Sequence, residues 1–232
     1  MPKTFLPVAL GPRGWPETAV ERLVRQFDDT VGGTVIAGNG HPWFTRLADS
    51  LPRLRAVRSE PFGEWSSVQD CEVWIGSGPL FIASGDNVFT DDDIDAFTRF
   101  CASREDCVVA VAPATDTRQL TVVDVVEGKA LDLIEKPADG RAGAAKAGLY
   151  YFGRATVAAA MAFEPRVDRF GERSMTELLL GLLSHGTEVR VYPLRGGFHD
   201  VGTVEGLAGA LDDEALSPPY DGMSRTRKGQ AP

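Results

Sequence analysis

Basic charge is in short supply in this 232-residue chain: 24 lysines and arginines stand against 33 aspartates and glutamates, a formal net charge of −9. That deficit excludes sequence-independent nucleic-acid binding, which needs clustered cations to neutralise phosphates. Cysteine is scarce as well. Cys71, Cys101 and Cys107 form neither an even-numbered disulfide framework nor a metal-ligand spacing, so reduced thiols are the expectation. No apolar run approaches the roughly 18 residues of a membrane-spanning helix, and the opening residues do not read as a signal peptide. A cytoplasmic protein with no membrane association follows as the expectation. There is no internal repeat, and Trp15, Trp43, Trp65 and Trp74 are scattered rather than periodic, so most read as packing residues or surface anchors.

What is present is a 43% hydrophobic chain long enough to bury a full core. Residues 34–37, 80–83, 107–112, 121–126 and 189–192 are apolar and β-branched and read as strands; 148–152 reads as a further one. Helical patterns lie between them at Pro16–Phe27, Pro42–Asp49, Asp91–Ser103, Ala155–Phe163 and Ser174–Ser184. Asp91, Asp92 and Asp93 place negative charge in a first helical turn, where free N–H groups favour it, and Ser174 with Glu177 has capping-box spacing. Such alternation predicts an α/β layered fold with a mostly parallel sheet, whose ligands bind beyond the carboxyl ends of strands. Residues 1–211 read as one domain. The polar, turn-rich stretch 217–232 reads as a disordered tail, and the Gly- and Ala-rich 141–147 as a mobile loop.

Two acidic residues each follow an apolar run: Asp86 in Ser84-Gly85-Asp86-Asn87 and Asp200 in Phe198-His199-Asp200-Val201-Gly202-Thr203. Between them in sequence stands Glu135-Lys136-Pro137. Two hard carboxylates with a carboxylate–ammonium pair suit a magnesium-dependent site for a phosphorylated substrate. Each element also has a plainer reading. Asp86-Asn87 could close an Asx turn, Asp200 could bond Thr203 or cap a helix starting near Val204, and Glu135 and Lys136 could form a surface ion pair. His199 reads as a packing or supporting histidine rather than a catalytic one.

Taken in order, Pro2-Lys3, Gly85-Asp86-Asn87, Glu135-Lys136-Pro137, Ala147-Gly148-Leu149-Tyr150, Met175-Thr176-Glu177 and Asp200-Val201-Gly202-Thr203 resemble the sugar-1-phosphate nucleotidylyltransferases. The resemblance implies a Rossmann-like, mostly parallel mixed sheet flanked by helices. It also implies Mg²⁺-dependent joining of a nucleoside triphosphate to a sugar or cyclitol 1-phosphate, with release of pyrophosphate. By the same resemblance, Asp86 and Asp200 are the magnesium ligands and Gly85 lies against substrate. Glu135 accepts a sugar hydroxyl, Lys136 meets the sugar phosphate, and Gly148 brings backbone against the sugar ring. Lys3 approaches phosphates. Dimers and tetramers are frequent in the family, so a homo-oligomer is allowed.

Three departures stand out. The family's first strand and glycine-rich triphosphate loop precede the Pro-Lys element, whereas this sequence opens at Met1-Pro2-Lys3, so that segment is expected to be missing. Residues 5–10 with the loop carrying Arg13 offer a substitute strand–loop–helix outline, which Pro7 weakens. Glu64-Trp65-Ser66-Ser67 replaces the usual Gly-Thr-Ala near the base, and Thr121 stands where glycine is usual. Alongside an enzyme, a non-catalytic sugar-phosphate-binding or regulatory subunit therefore remains the alternative.

Overall fold

The computed structural model describes residues 7–10, 16–60 and 62–216. Lys3, Arg13 and the stretch 217–232 lie outside the described residues. In chain order the strands are β1 (Pro7–Leu10), β2 (Pro16–Thr18), β3 (Thr34–Gly38), β4 (Leu54–Arg58), β5 (Leu80–Ala83) and β6 (Asn87–Val88). They continue as β7 (Cys107–Ala114), β8 (Thr121–Val126), β9 (Lys129–Glu135), β10 (Gly143–Phe152), β11 (Val189–Pro193) and β12 (His199–Asp200). The helices are α1 (Ala19–Phe27), α2 (Pro42–Ser50), α3 (Glu64–Gln69), α4 (Asp91–Cys101), α5 (Arg154–Met161), α6 (Met175–Ser184) and α7 (Val204–Asp212).

At the centre is a six-stranded sheet in the order β5-β10-β7-β11-β9-β8. Its middle strand β7 is buried from Cys107 to Ala112, and its side chains divide by the two-residue period of a strand. Cys107, Val109 and Val111 face one core with Trp65 of α3, Val157 of α5 and Met175, Leu178, Leu179 and Leu182 of α6. Val108 and Ala110 face the other, with Leu23 and Phe27 of α1 and Ile94 and Phe97 of α4. Helices therefore cover both faces, which is why β7 is a continuous apolar run rather than an alternating one.

The α/β class and its mixed, helix-flanked sheet are as expected, but antiparallel pairing takes a large share. β7 and β11 run parallel, as do β3 and β4 in a separate pair, whereas β10 runs against β5, β7 and β8. Three local expectations change. The helix expected from Pro16 begins at Ala19, because Pro16–Thr18 is extended and Thr18 forms a capping box with Glu21. The expected loop 141–147 is strand from Gly143 onward, its small side chains pairing with β7 and β8. And β1, read as a substitute sheet strand, pairs antiparallel with β2 rather than entering the six-stranded sheet. Pro7 opens that strand, a position where proline's missing N–H is tolerated.

Candidate active site

The two acidic segments meet at one edge of the molecule. β6 and β12 form a short antiparallel pair in which His199 faces Val88 and Asp200 faces Asn87, and the N–H of Val201 donates to the carbonyl of Asp86 at 2.9 Å. Residues 114 positions apart in sequence thus become backbone neighbours. Gly85 and Asp86 occupy the centre of a turn closed by the Asn87 N–H on the Ser84 carbonyl at 3.1 Å. Asp200 Oδ1 accepts the Gly202 N–H at 2.8 Å, and the α7 cap is Thr203, whose hydroxyl accepts the Gly206 N–H at 3.0 Å. His199 Nε2 lies 2.9 Å from Asp213 Oδ2, the supporting contact expected of it.

A third carboxylate fastens this arrangement from below. Asp93, 2% exposed, accepts the N–H groups of Arg195 and Gly196 at 2.9 and 2.8 Å and the Thr90 hydroxyl at 3.1 Å. It was read as a helix-dipole residue, yet it also ties the start of α4, just after β6, to the turn that leads into β12. Among the described residues no three His, Cys, Asp or Glu side chains gather into a cation cage. A pair of carboxylates fits Mg²⁺ nonetheless, because that ion commonly takes one or two carboxylates and completes its shell with water and substrate phosphates.

Contacts lead from this turn toward Glu64, Lys146 and Glu135. Asn87 Nδ2 donates to the Ala147 carbonyl at 2.8 Å, and Ser84 N–H to the Gly148 carbonyl at 2.8 Å. The Ser84 hydroxyl donates to Glu64, whose other oxygen lies 3.4 Å from the Tyr150 hydroxyl and 3.9 Å from Lys146 Nζ. Burial first, then the nearby Glu64 and Glu135, push the Tyr150 phenol well above its ordinary pKa and keep it protonated. Lys146 Nζ donates to Thr176 Oγ1 at 2.8 Å, and Thr176 donates in turn to Glu135 Oε2 at 3.0 Å. Thr121, in the place where glycine is usual, also donates to Glu135 Oε2.

Glu135 and Lys136 are not paired with each other. Lys136 adopts a left-handed backbone with φ of 45°, its N–H held by the Leu120 carbonyl at 3.0 Å, and its ammonium lies 4.5 Å from the centre of the Phe170 ring. Arg169 stacks on the same ring and donates to the carbonyls of Glu135 and Lys136 at 3.1 and 3.4 Å. Two cations therefore converge on one side of Glu135. The sequence reading missed Arg169, Lys146 and Thr176 as single residues; the first two carried no motif, and Thr176 stood inside Met175-Thr176-Glu177 unassigned.

Comparison with known proteins gives the same outline. No family model matches the chain. It is 27% identical over 169 residues, 72% of its length, to a glucose-1-phosphate thymidylyltransferase of Streptomyces griseus. The match takes in 47% of that protein, so the chain spans about half the length of this curated relative. In fold it resembles a protein of Bacillus anthracis assigned as a glucose-1-phosphate thymidylyltransferase, solved with sucrose, at a TM-score of 0.72 and 19% identity, covering 93% of this chain and 91% of that one. In sequence and in fold the chain is similar to sugar-1-phosphate nucleotidylyltransferases. A UDP-glucose pyrophosphorylase complexed with UDP-glucose gives a TM-score of 0.71 at 19% identity, over 91% of this chain and 89% of that chain. HddC of Yersinia pseudotuberculosis, complexed with GMP-PN, gives 0.66 at 15% over the same shares. At these identities the three structures speak for the fold alone.

Proposed function

We propose that the chain joins a nucleoside triphosphate to a sugar or cyclitol 1-phosphate and releases pyrophosphate, with Mg²⁺. The observation that carries this reading is the meeting of the Asp86 turn and Asp200 across β6 and β12, connected through Ser84, Glu64, Lys146 and Thr176 to Glu135, beside which lie Lys136 and Arg169. In the reaction a sugar-phosphate oxygen attacks the α-phosphorus, a new P–O bond forms, and the bond from that phosphorus to the β-phosphate bridging oxygen breaks. No side-chain nucleophile is required. Asp86 and Asp200 are the residues that would hold the cation. When bound, it neutralises charge gathering on the α-phosphate oxygens. Lys136 and Arg169 hold the sugar phosphate, Glu135 accepts a sugar hydroxyl, Gly85 lies against substrate, and Gly148 presents backbone where a side chain would intrude. Lys3 is assigned to the phosphates by its Pro-Lys element. Buried, unpaired thiols suit a reducing cytoplasm, where nucleoside triphosphates also reside.

The test is pyrophosphate release from a matrix of nucleoside triphosphates and hexose 1-phosphates with Mg²⁺. Asp86→Asn and Asp200→Asn should each lower turnover at least about a hundredfold while keeping the wild-type circular dichroism and melting transition. Wild-type rates in both variants would remove the metal assignment. Binding of a sugar phosphate without release from any pair would favour the non-catalytic subunit.

A further inference from the structure

Lys146 is set two residues before Gly148 on β10, with its side chain only 11% exposed. An ammonium carries three N–H donors, and buried donors are normally filled. Among the described residues Thr176 Oγ1, at 2.8 Å, is its hydrogen-bond acceptor, while Glu64 Oε2 at 3.9 Å and the Tyr150 ring at 5.7 Å offer charge without a hydrogen bond. Donor capacity is left over on a largely buried side chain. Glu135 has the complementary surplus. Its Oε2 receives both Thr121 and Thr176, and among the described residues no donor reaches Oε1.

Thr176 joins the two. Its single hydroxyl proton goes to Glu135, so its oxygen is left to accept from Lys146, and the relay has a fixed direction. A donor and an acceptor are thereby held one hydroxyl apart on the same wall. That spacing suits two neighbouring oxygens of a ring. The charges narrow the ligand further. Glu64 and Glu135 stand on either side of the one ammonium, so a carboxylate on the ring here would lie against two like charges, whereas neutral hydroxyls are accommodated.

We propose that Lys146 is a specificity-determining residue that contacts the sugar, donating to the ring oxygen adjacent to the hydroxyl accepted by Glu135. The preferred substrates are neutral hexose or cyclitol phosphates with free hydroxyls at both positions. This inference rests on the nucleotidylyltransferase reading. A site built to bond a hydroxyl rejects the analogue lacking it, because its own polar groups are then left unpaired.

The experiment compares wild type, Lys146→Met and Lys146→Gln with the best hexose 1-phosphate, its monodeoxy analogues and the matching uronic acid. The KM for the nucleoside triphosphate is measured in the same assays, and folding is followed by thermal melting. Wild type should reject two adjacent monodeoxy analogues, and the uronate, by about tenfold or more. Lys146→Met should lower kcat/KM for the parent sugar phosphate at least about tenfold and lose discrimination at one of those two ring positions, with the triphosphate KM within about twofold of wild type. Lys146→Gln, which keeps a donor, should regain part of it. Unchanged discrimination in the Met variant, or an altered triphosphate KM with the sugar-phosphate KM intact, would overturn the inference while leaving the enzyme reading standing. Should the Met variant fail to fold, the Gln variant carries the same comparison. A wild type that releases no pyrophosphate from any pair overturns both.

Discussion

Gly148 is required by the protein's own packing before any sugar arrives. Its φ of +67° is left-handed, and an added Cβ would stand 2.6 Å from Ser84 Oγ and closer still to Asn87 Nδ2. Both neighbours belong to the turn that carries Asp86, so the glycine lets β10 and the acidic turn close on each other. Gly148→Ala should destabilise the fold by about 1–3 kcal/mol, from strain and overpacking together. The check is a fall in urea midpoint at unchanged m-value. Lys136, with φ of 45°, is the non-glycine counterpart: its conformation is held by Leu120 on one side and Arg169 on the other. The family motifs marked Gly148 and Lys136, but nothing in a linear motif states that one would meet Ser84 and the other Phe170. Those contacts are made by residues tens of positions away, and side-chain chemistry has no period along the chain.

Among the elements, α1 is locked in place by a single buried arginine. Arg22, 2% exposed, donates to the Phe89 carbonyl at 3.0 Å, the Leu216 carbonyl at 2.8 Å and Asp91 Oδ1 at 2.9 Å, with Glu17 at 3.6 Å. It joins α1 to the β6–α4 junction and to the turn after α7. Arg22→Met leaves the Leu216 carbonyl without its side-chain donor, while Phe89 keeps Gln26 and Glu17 keeps Arg25, and should lower stability by about 1–3 kcal/mol in chemical denaturation. The far end of α7 is held through Asp213. Its hydrogen bond with His199 foremost, helped by the Ala215 N–H and opposed by burial, holds the Asp213 carboxyl below its ordinary pKa. The unfolded chain then binds this proton more readily than the native one, so the stabilisation is complete above about pH 4 and fades as pH falls through the lower native value. Asp213→Asn should therefore melt below wild type at pH 7, with the gap shrinking at about pH 3. A constant gap would contradict the linkage. Helix and strand positions were largely legible here because caps and apolar runs are local signals; β1 and the start of β10 were not, because small residues and proline acquire strand geometry only from a partner.

For the whole molecule, the acidic surplus and the cations gathered around Glu135 act at different ranges. The net charge of −9 bars broad attraction to polyanions, whereas Lys136, Arg169 and Lys146 gather positive charge where a phosphorylated substrate would lie. The two cores on either face of the sheet enclose Cys107 and Cys101, and Cys71 is buried as well. Burial above all pushes the Cys71 thiol up to about 11 and Cys101 up to about 12, and raises Cys107 as well. Thiol-specific labelling at pH 8 should be slow for all three in the native protein and complete in denaturant; rapid native labelling would refute the packing. Among the described residues no helix is long and apolar enough to cross a membrane, in line with the absence of long apolar runs. By itself the sequence determined the α/β layering, the buried run of β7, the helix caps and the ordered motifs, because periodicity and capping act over a few residues. Only the tertiary structure decided that Asp86 would lie beside Asp200, that Arg169 would join Lys136, and that Lys146, Thr176 and Glu135 would form one directed chain. These are meetings of residues 30 or more positions apart, settled by which strands pair and which helix starts pack beside them.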